Sequence, residues 1–123
     1  MSRPQHFGWF LARGFGPHGW GRPYLDWDYD WTSPALYQQA ARTLEQAGFD
    51  LLIIEDAPSL GSAATIDLRV RHAFGGPKLD PLLLAPYLFA ATEHIGIVPT
   101  VNPAATLPYT AARQFATLQH LSG

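Results

Sequence analysis

The chain has 123 residues, a length that suits one small domain, and its 47% hydrophobic and 15% charged residues provide enough apolar material for a core. Eight Lys and Arg against ten Asp and Glu leave a net charge of −2, which argues against nucleic-acid binding through a basic face and against a polybasic route to an anionic membrane. There is no Cys, which excludes a disulfide framework, a thiolate zinc site and a cysteine nucleophile.

Along the chain, Gly8, Arg13, Gly14, Gly16 and Pro17 interrupt any signal-peptide core, and a cytoplasmic location is expected. Phe7-Gly8-Trp9-Phe10-Leu11 reads as a first, buried strand. Residues 12–32, rich in Gly, Pro, Trp and Asp, read as a loop, and a loop of that length in a compact domain is usually functional or disordered. Ser33-Pro34 opens a helix, with Ser33 as N-cap and Pro34 at the first helical position. Tyr37, Ala40, Ala41, Leu44 and Ala47 form its apolar stripe, and Gly48 stands where a C-terminal cap belongs. Leu51-Leu52-Ile53-Ile54 is apolar without alternation, the pattern of a strand buried on both faces of a parallel sheet.

A second loop covers 56–79, within which 63–74 fits either a strand or a short helix. Asp80-Pro81 opens the next helix, with Leu84, Leu88 and Ala91 on one face. Pro86 requires either a kink there or a later start near Pro86. The apolar run 81–92 is twelve residues long, short of the ~20 needed to span a bilayer. Ile95-Gly96-Ile97-Val98 is the third strand. Pro108 lies in the first turn of a last helix whose stripe is Ala112, Phe115, Leu118 and Leu121, and Gly123 is placed to end it.

The strands end near Leu11, Glu55 and Pro99, at two successive spacings of 44 residues. Alternating βα units with apolar strands imply an α/β fold with a parallel sheet. Three units do not complete such a fold: a doubly wound domain takes five or six strands, and a (β/α)₈ barrel takes about 250 residues. The chain is therefore expected to form part of a larger fold.

The segments Leu79-Asp80-Pro81-Leu82, 92–100 and 108–123 resemble the luciferase-like flavin monooxygenases. The nearest branch holds nitrilotriacetate monooxygenase component A, dibenzothiophene-sulfone monooxygenase and long-chain alkane monooxygenase. Residues 108–123, PYTAARQFATLQHLSG, are similar to that branch's "PYHLARRFASLDHLSGGR". Phe7 to Leu11, 16–23, 41–50 and Ile53-Ile54-Glu55-Asp56-Ala57 also resemble it in order. The chain departs from the branch at Pro86 and Tyr87, which stand where the branch has small residues, and over 102–107.

The resemblance implies the first three βα units of a (β/α)₈ TIM barrel. It implies oxygenation of a small organic substrate with O₂ and FMN, the FMNH₂ coming from a separate flavin reductase. It also implies a homo-oligomer when the barrel is complete. Asp56 and Thr100 match the branch's flavin-contacting positions, at the C-terminal ends of strands where barrel sites form. The branch's remaining flavin contacts lie on strands beyond position 123.

His18 and Trp20, with Arg22 in a Gly-rich loop, are candidate substrate-contacting residues, with a plain surface loop as the other reading. His6, His72, His94 and His120 have no partner at a metal-ligand spacing, and no metal is expected. Gly14-Phe15-Gly16 lacks the third Gly and the helix of a dinucleotide fingerprint. Asp26, Asp28 and Asp30 lack the Gly and Glu of a calcium loop, so their aromatic segment reads as a loop over the barrel mouth or a subunit face. No catalytic residue is assigned. The other readings are a non-catalytic remnant or assembly partner, which would not bind FMNH₂, and a deazaflavin-dependent oxidoreductase on the same barrel, which would prefer deazaflavin.

Overall fold

The computed structural model describes residues 3–11, 30, 32–59, 61–71 and 79–123. Their order is β1 (Gly8–Leu11), α1 (Pro34–Gln46), β2 (Leu51–Ile54), α2 (Ala63–Arg71), α3 (Pro81–Phe89), β3 (Gly96–Pro99) and α4 (Pro108–Ser122). The three strands pair in parallel in the order β1-β2-β3. Register aligns Leu11 with Ile54 and Ile54 with Pro99, so all three strands end level.

Local chemistry explains the helix ends. Ser33 Oγ accepts the Ala35 N–H at 3.3 Å, and Pro34 follows it where no backbone donor is needed. At the other end the Phe49 N–H reaches the Leu44 carbonyl and the Gly48 N–H reaches that of Glu45, both at 3.0 Å. This is a Schellman closure, and Gly48 takes the left-handed φ of +85° that it requires. Asp80 caps α3 by accepting the Leu83 N–H at 3.0 Å, so the helix begins at Pro81 rather than near Pro86. Pro86 sits inside it: the proline removes one intrahelical donor, and the turn continues with the Ala90 N–H on the Pro86 carbonyl. The undecided stretch is a helix, started by Ser62, whose Oγ accepts the Thr65 N–H at 3.2 Å.

The core lies on one side of the sheet. Leu11, Leu52, Ile54 and Ile97 are buried there against Tyr37 and Ala41 of α1 and Leu84, Ala85 and Leu88 of α3. Each fully buried large side chain contributes roughly 1.5–3 kcal/mol through its removal from water. The opposite face is bare: Phe10 is 57% exposed, and Leu51 and Val98 are 40% exposed. Gly96 belongs to this face, and a Cβ there would lie 2.8 Å from Leu51 Cδ2. The glycine lets the Leu51 side chain lie across the neighbouring strand.

Three expectations are corrected. β1 is a strand but not a buried one, since only Leu11 is inside. β2 alternates instead of burying both faces, with Leu52 and Ile54 inside and Leu51 exposed. The physical reason is common to both: the core helices α1 and α3 cover the same side of the sheet. The stripe of α4 also differs, because α4 rests on α3. Ala111, Gln114 and Leu118 are its less exposed residues, while Phe115 and Leu121 are exposed.

Candidate active site

The C-terminal edge of the sheet brings the sequence-derived candidates to one level. The Thr100 N–H donates to the Ile54 carbonyl at 3.1 Å, and the Glu55 N–H donates to the Leu11 carbonyl at 3.2 Å. Both bonds extend the parallel ladder one residue past the strands, so Glu55 and Thr100 stand side by side. By the two-residue alternation of a strand, Thr100 continues the row of Gly96 and Val98 on the bare face. Glu55 continues the row of Leu51 and Ile53. Thr100 and Glu55 are half-buried, and Asp56, one residue further on, is exposed. Beyond Thr100 the chain turns sharply: Asn102 Oδ1 accepts the Ala104 N–H at 2.9 Å, an Asx turn that leads towards α4.

This edge is a row of hydrogen-bonding groups above an apolar floor of Phe10, Ile53 and Val98. Thr100 offers a hydroxyl that donates and accepts; Asp56 and Glu55 offer acceptors. Sequence reasoning missed Glu55. Its signal was available: the period of two that governs Leu51 and Ile53 reaches Glu55. His18 and Trp20 lie outside the described residues, as does most of the aromatic and acidic loop.

The N-terminal edge carries different chemistry. One oxygen of Glu45, Oε1, accepts three consecutive backbone N–H groups, from Glu93 at 2.9 Å, His94 at 2.6 Å and Ile95 at 2.9 Å. The N–H of His94, then that of Ile95, hold the Glu45 carboxyl below its ordinary range. Asp50 accepts from the Phe7 N–H at 2.8 Å and pairs with His6 Nδ1 at 3.1 Å. The His6 contact, then the Phe7 N–H, lower its carboxyl in the same way. His6 and His94 thus belong to the end of the sheet remote from Thr100. Among the described residues no group of His, Asp and Glu could hold a metal ion, and no helix is long and apolar enough to cross a membrane.

The family model of luciferase-like monooxygenases matches residues 6–123. The chain belongs to the luciferase-like monooxygenase family. Among curated members, it is 34% identical to dibenzothiophene-sulfone monooxygenase of Rhodococcus erythropolis (strain XP), covering 100% of this chain and 28% of that one. It is 35% identical to nitrilotriacetate monooxygenase component A of Aminobacter aminovorans, covering 92% of this chain and 26% of that one. The crystal structure of long-chain alkane monooxygenase superposes with a TM-score of 0.80 at 28% identity, covering 99% of this chain and 29% of that chain. This luciferase-like chain therefore spans about 28% of the length of the first curated relative it matches, and its three βα units form part of a TIM barrel. In such a barrel the helices lie outside and the bare sheet face looks inward.

Proposed function

We propose that this chain supplies three βα units of an FMN-dependent monooxygenase in which Asp56 and Thr100 hold the reduced flavin at the barrel mouth. The observation that carries the reading is the level ending of three parallel strands, which sets Thr100 above the bare apolar face at the end of the sheet where barrel enzymes place their sites. The residues present fit the group: hydrogen-bonding side chains for a polar ring edge or ribityl chain stand over apolar side chains that suit a planar ring. Reduced FMN, when bound, supplies the electrons with which O₂ gives one oxygen to a small organic substrate and the other to water. The role of this chain's residues is to bind and orient: Thr100 donates or accepts at the ring edge, Asp56 accepts from a hydroxyl or ring N–H, and Phe10, Ile53 and Val98 keep water from the floor. The relative from Aminobacter aminovorans is named as a component, which supports a separate flavin reductase as the source of reduced FMN.

Anaerobic titration with reduced FMN tests the assignment. Thr100→Val and Asp56→Ala are each expected to weaken binding on the order of tenfold, about 1.4 kcal/mol, with unfolding unchanged. Unaltered affinity in both variants removes these residues from the site.

A further inference from the structure

We propose that Glu55 sets the substrate class of the site at the strand ends: a small organic amine, bound as its ammonium, is taken in preference to an uncharged or carboxylate-bearing analogue of the same body. The proposal rests on the flavin reading of Asp56 and Thr100, which stand at the same edge. Backbone bonds fix where Glu55 lies. Its N–H donates to the Leu11 carbonyl at 3.2 Å, and the Thr100 N–H donates to the Ile54 carbonyl at 3.1 Å. Glu55 and Thr100 are therefore neighbours across adjacent strand ends, roughly 5 Å apart. The two-residue alternation puts Glu55 in the row of Leu51 and Ile53, on the side that looks into a barrel. It is half-buried before any further unit covers that side.

Charge makes this position selective. Along the three strands the bare face carries Gly8, Phe10, Leu51, Ile53, Gly96 and Val98, all uncharged. Glu55 brings the first charge to that face, where the strands end. A carboxylate set among apolar side chains attracts a cation and repels an anion more strongly than one in bulk water. A second carboxylate brought up to it loses hydration and meets repulsion. An ammonium meets it through a charge-assisted hydrogen bond, stronger than one between neutral groups. Glu55 also takes part in a contact within the chain. A carboxylate offers about four acceptor positions, so that contact and a ligand N–H are compatible. The strand spacing then divides the edge. Thr100, past β3, serves the flavin; Glu55, past β2, holds the ammonium, and the hydrocarbon body of the amine lies over Phe10 and Ile53. The body is thereby set beside the flavin, one strand away.

Titration of the full chain followed by methyl NMR tests this, with hexylammonium, hexanol and hexanoate as probes that share a body and differ in charge. The wild type is expected to bind hexylammonium about fivefold more tightly than hexanol, and hexanoate more weakly than hexanol. The methyl signals of Ile53 and Val98 should shift, while those of Leu121, exposed on α4, stay in place. Glu55→Gln keeps the length of the side chain and removes its charge, and should bring hexylammonium and hexanol within about twofold of each other. If Glu55→Gln does not fold, the order of the probes in the wild type and the methyls they move decide. Anaerobic titration of the wild type with reduced FMN separates this proposal from the flavin reading. Reduced FMN that binds while the three probes bind alike overturns the role of Glu55 and leaves the flavin site standing. A hexylammonium preference that Glu55→Gln abolishes, without any binding of reduced FMN, upholds the role of Glu55 and removes the flavin. A preference for hexanoate, a hexylammonium preference that survives Glu55→Gln, or shifts at Leu121 and not at Ile53 and Val98 also overturns the proposal.

Discussion

Ile53 and Ile54 are neighbours of the same type on the same strand, and the fold treats them oppositely. Ile54 is fully buried beneath the helix layer, whereas Ile53 belongs to the bare face with Phe10 and Val98. The same division runs across β3, between buried Ile97 and exposed Val98. One face of this sheet stabilises the chain as it stands. The other is apolar without yet being buried, which is what the inside of a barrel looks like when three of its units are seen alone. Side-chain type is uniform along Leu51-Leu52-Ile53-Ile54; what differs is the neighbour each residue meets.

The largest expected effect breaks the covered face. Ile54→Ala should cost about 2–5 kcal/mol in denaturant unfolding, and Val98→Ala less than about 1 kcal/mol, because only the first opens a cavity among packed neighbours. Equal losses would show that both faces are packed. Glu45 comes next, since Glu45→Ala leaves three backbone N–H groups at the start of β3 without their acceptor. Its carboxyl is held below the ordinary value of 4.5 in the folded chain, so the stability it contributes is fully present above that value. That stability is lost as pH falls through the folded-state pKa. Thermal midpoints of wild type and Glu45→Gln should therefore differ at neutral pH and converge on acidification. A difference independent of pH contradicts the assignment. Gly96→Ala should be the mildest: its Cβ would meet Leu51 Cδ2, the end of a flexible chain on the bare face, and moving it should cost about 1 kcal/mol or less. A larger loss would mean that the bare face is rigid.

Local signals carried much of this architecture. Ser33-Pro34, Asp80-Pro81 and Gly48 marked helix ends because caps act within a few residues. The apolar runs marked strands, and the repeat of 44 residues marked parallel βα units. Burial was less legible. A uniform run such as Leu51 to Ile54 does not tell which face the helices cover, and the stripe of α4 depended on its packing against α3. Of the candidate site, Asp56 and Thr100 came from resemblance, and the structure places both at the C-terminal edge. Glu55 was passed over because it was read as the end of a strand. Glu45 was passed over because its three donors lie 48 to 50 residues away in sequence.

The most direct test asks whether flavin covers the bare face. Val98 lies two residues before Thr100 in the same row, and the chain has no Cys, so Val98→Cys reports that face with one thiol. Its maleimide labelling rate, measured anaerobically with and without reduced FMN, is predicted to fall when the flavin binds, while labelling of Leu83→Cys on α3 stays constant. A Val98→Cys rate that saturating reduced FMN leaves unchanged would contradict the account.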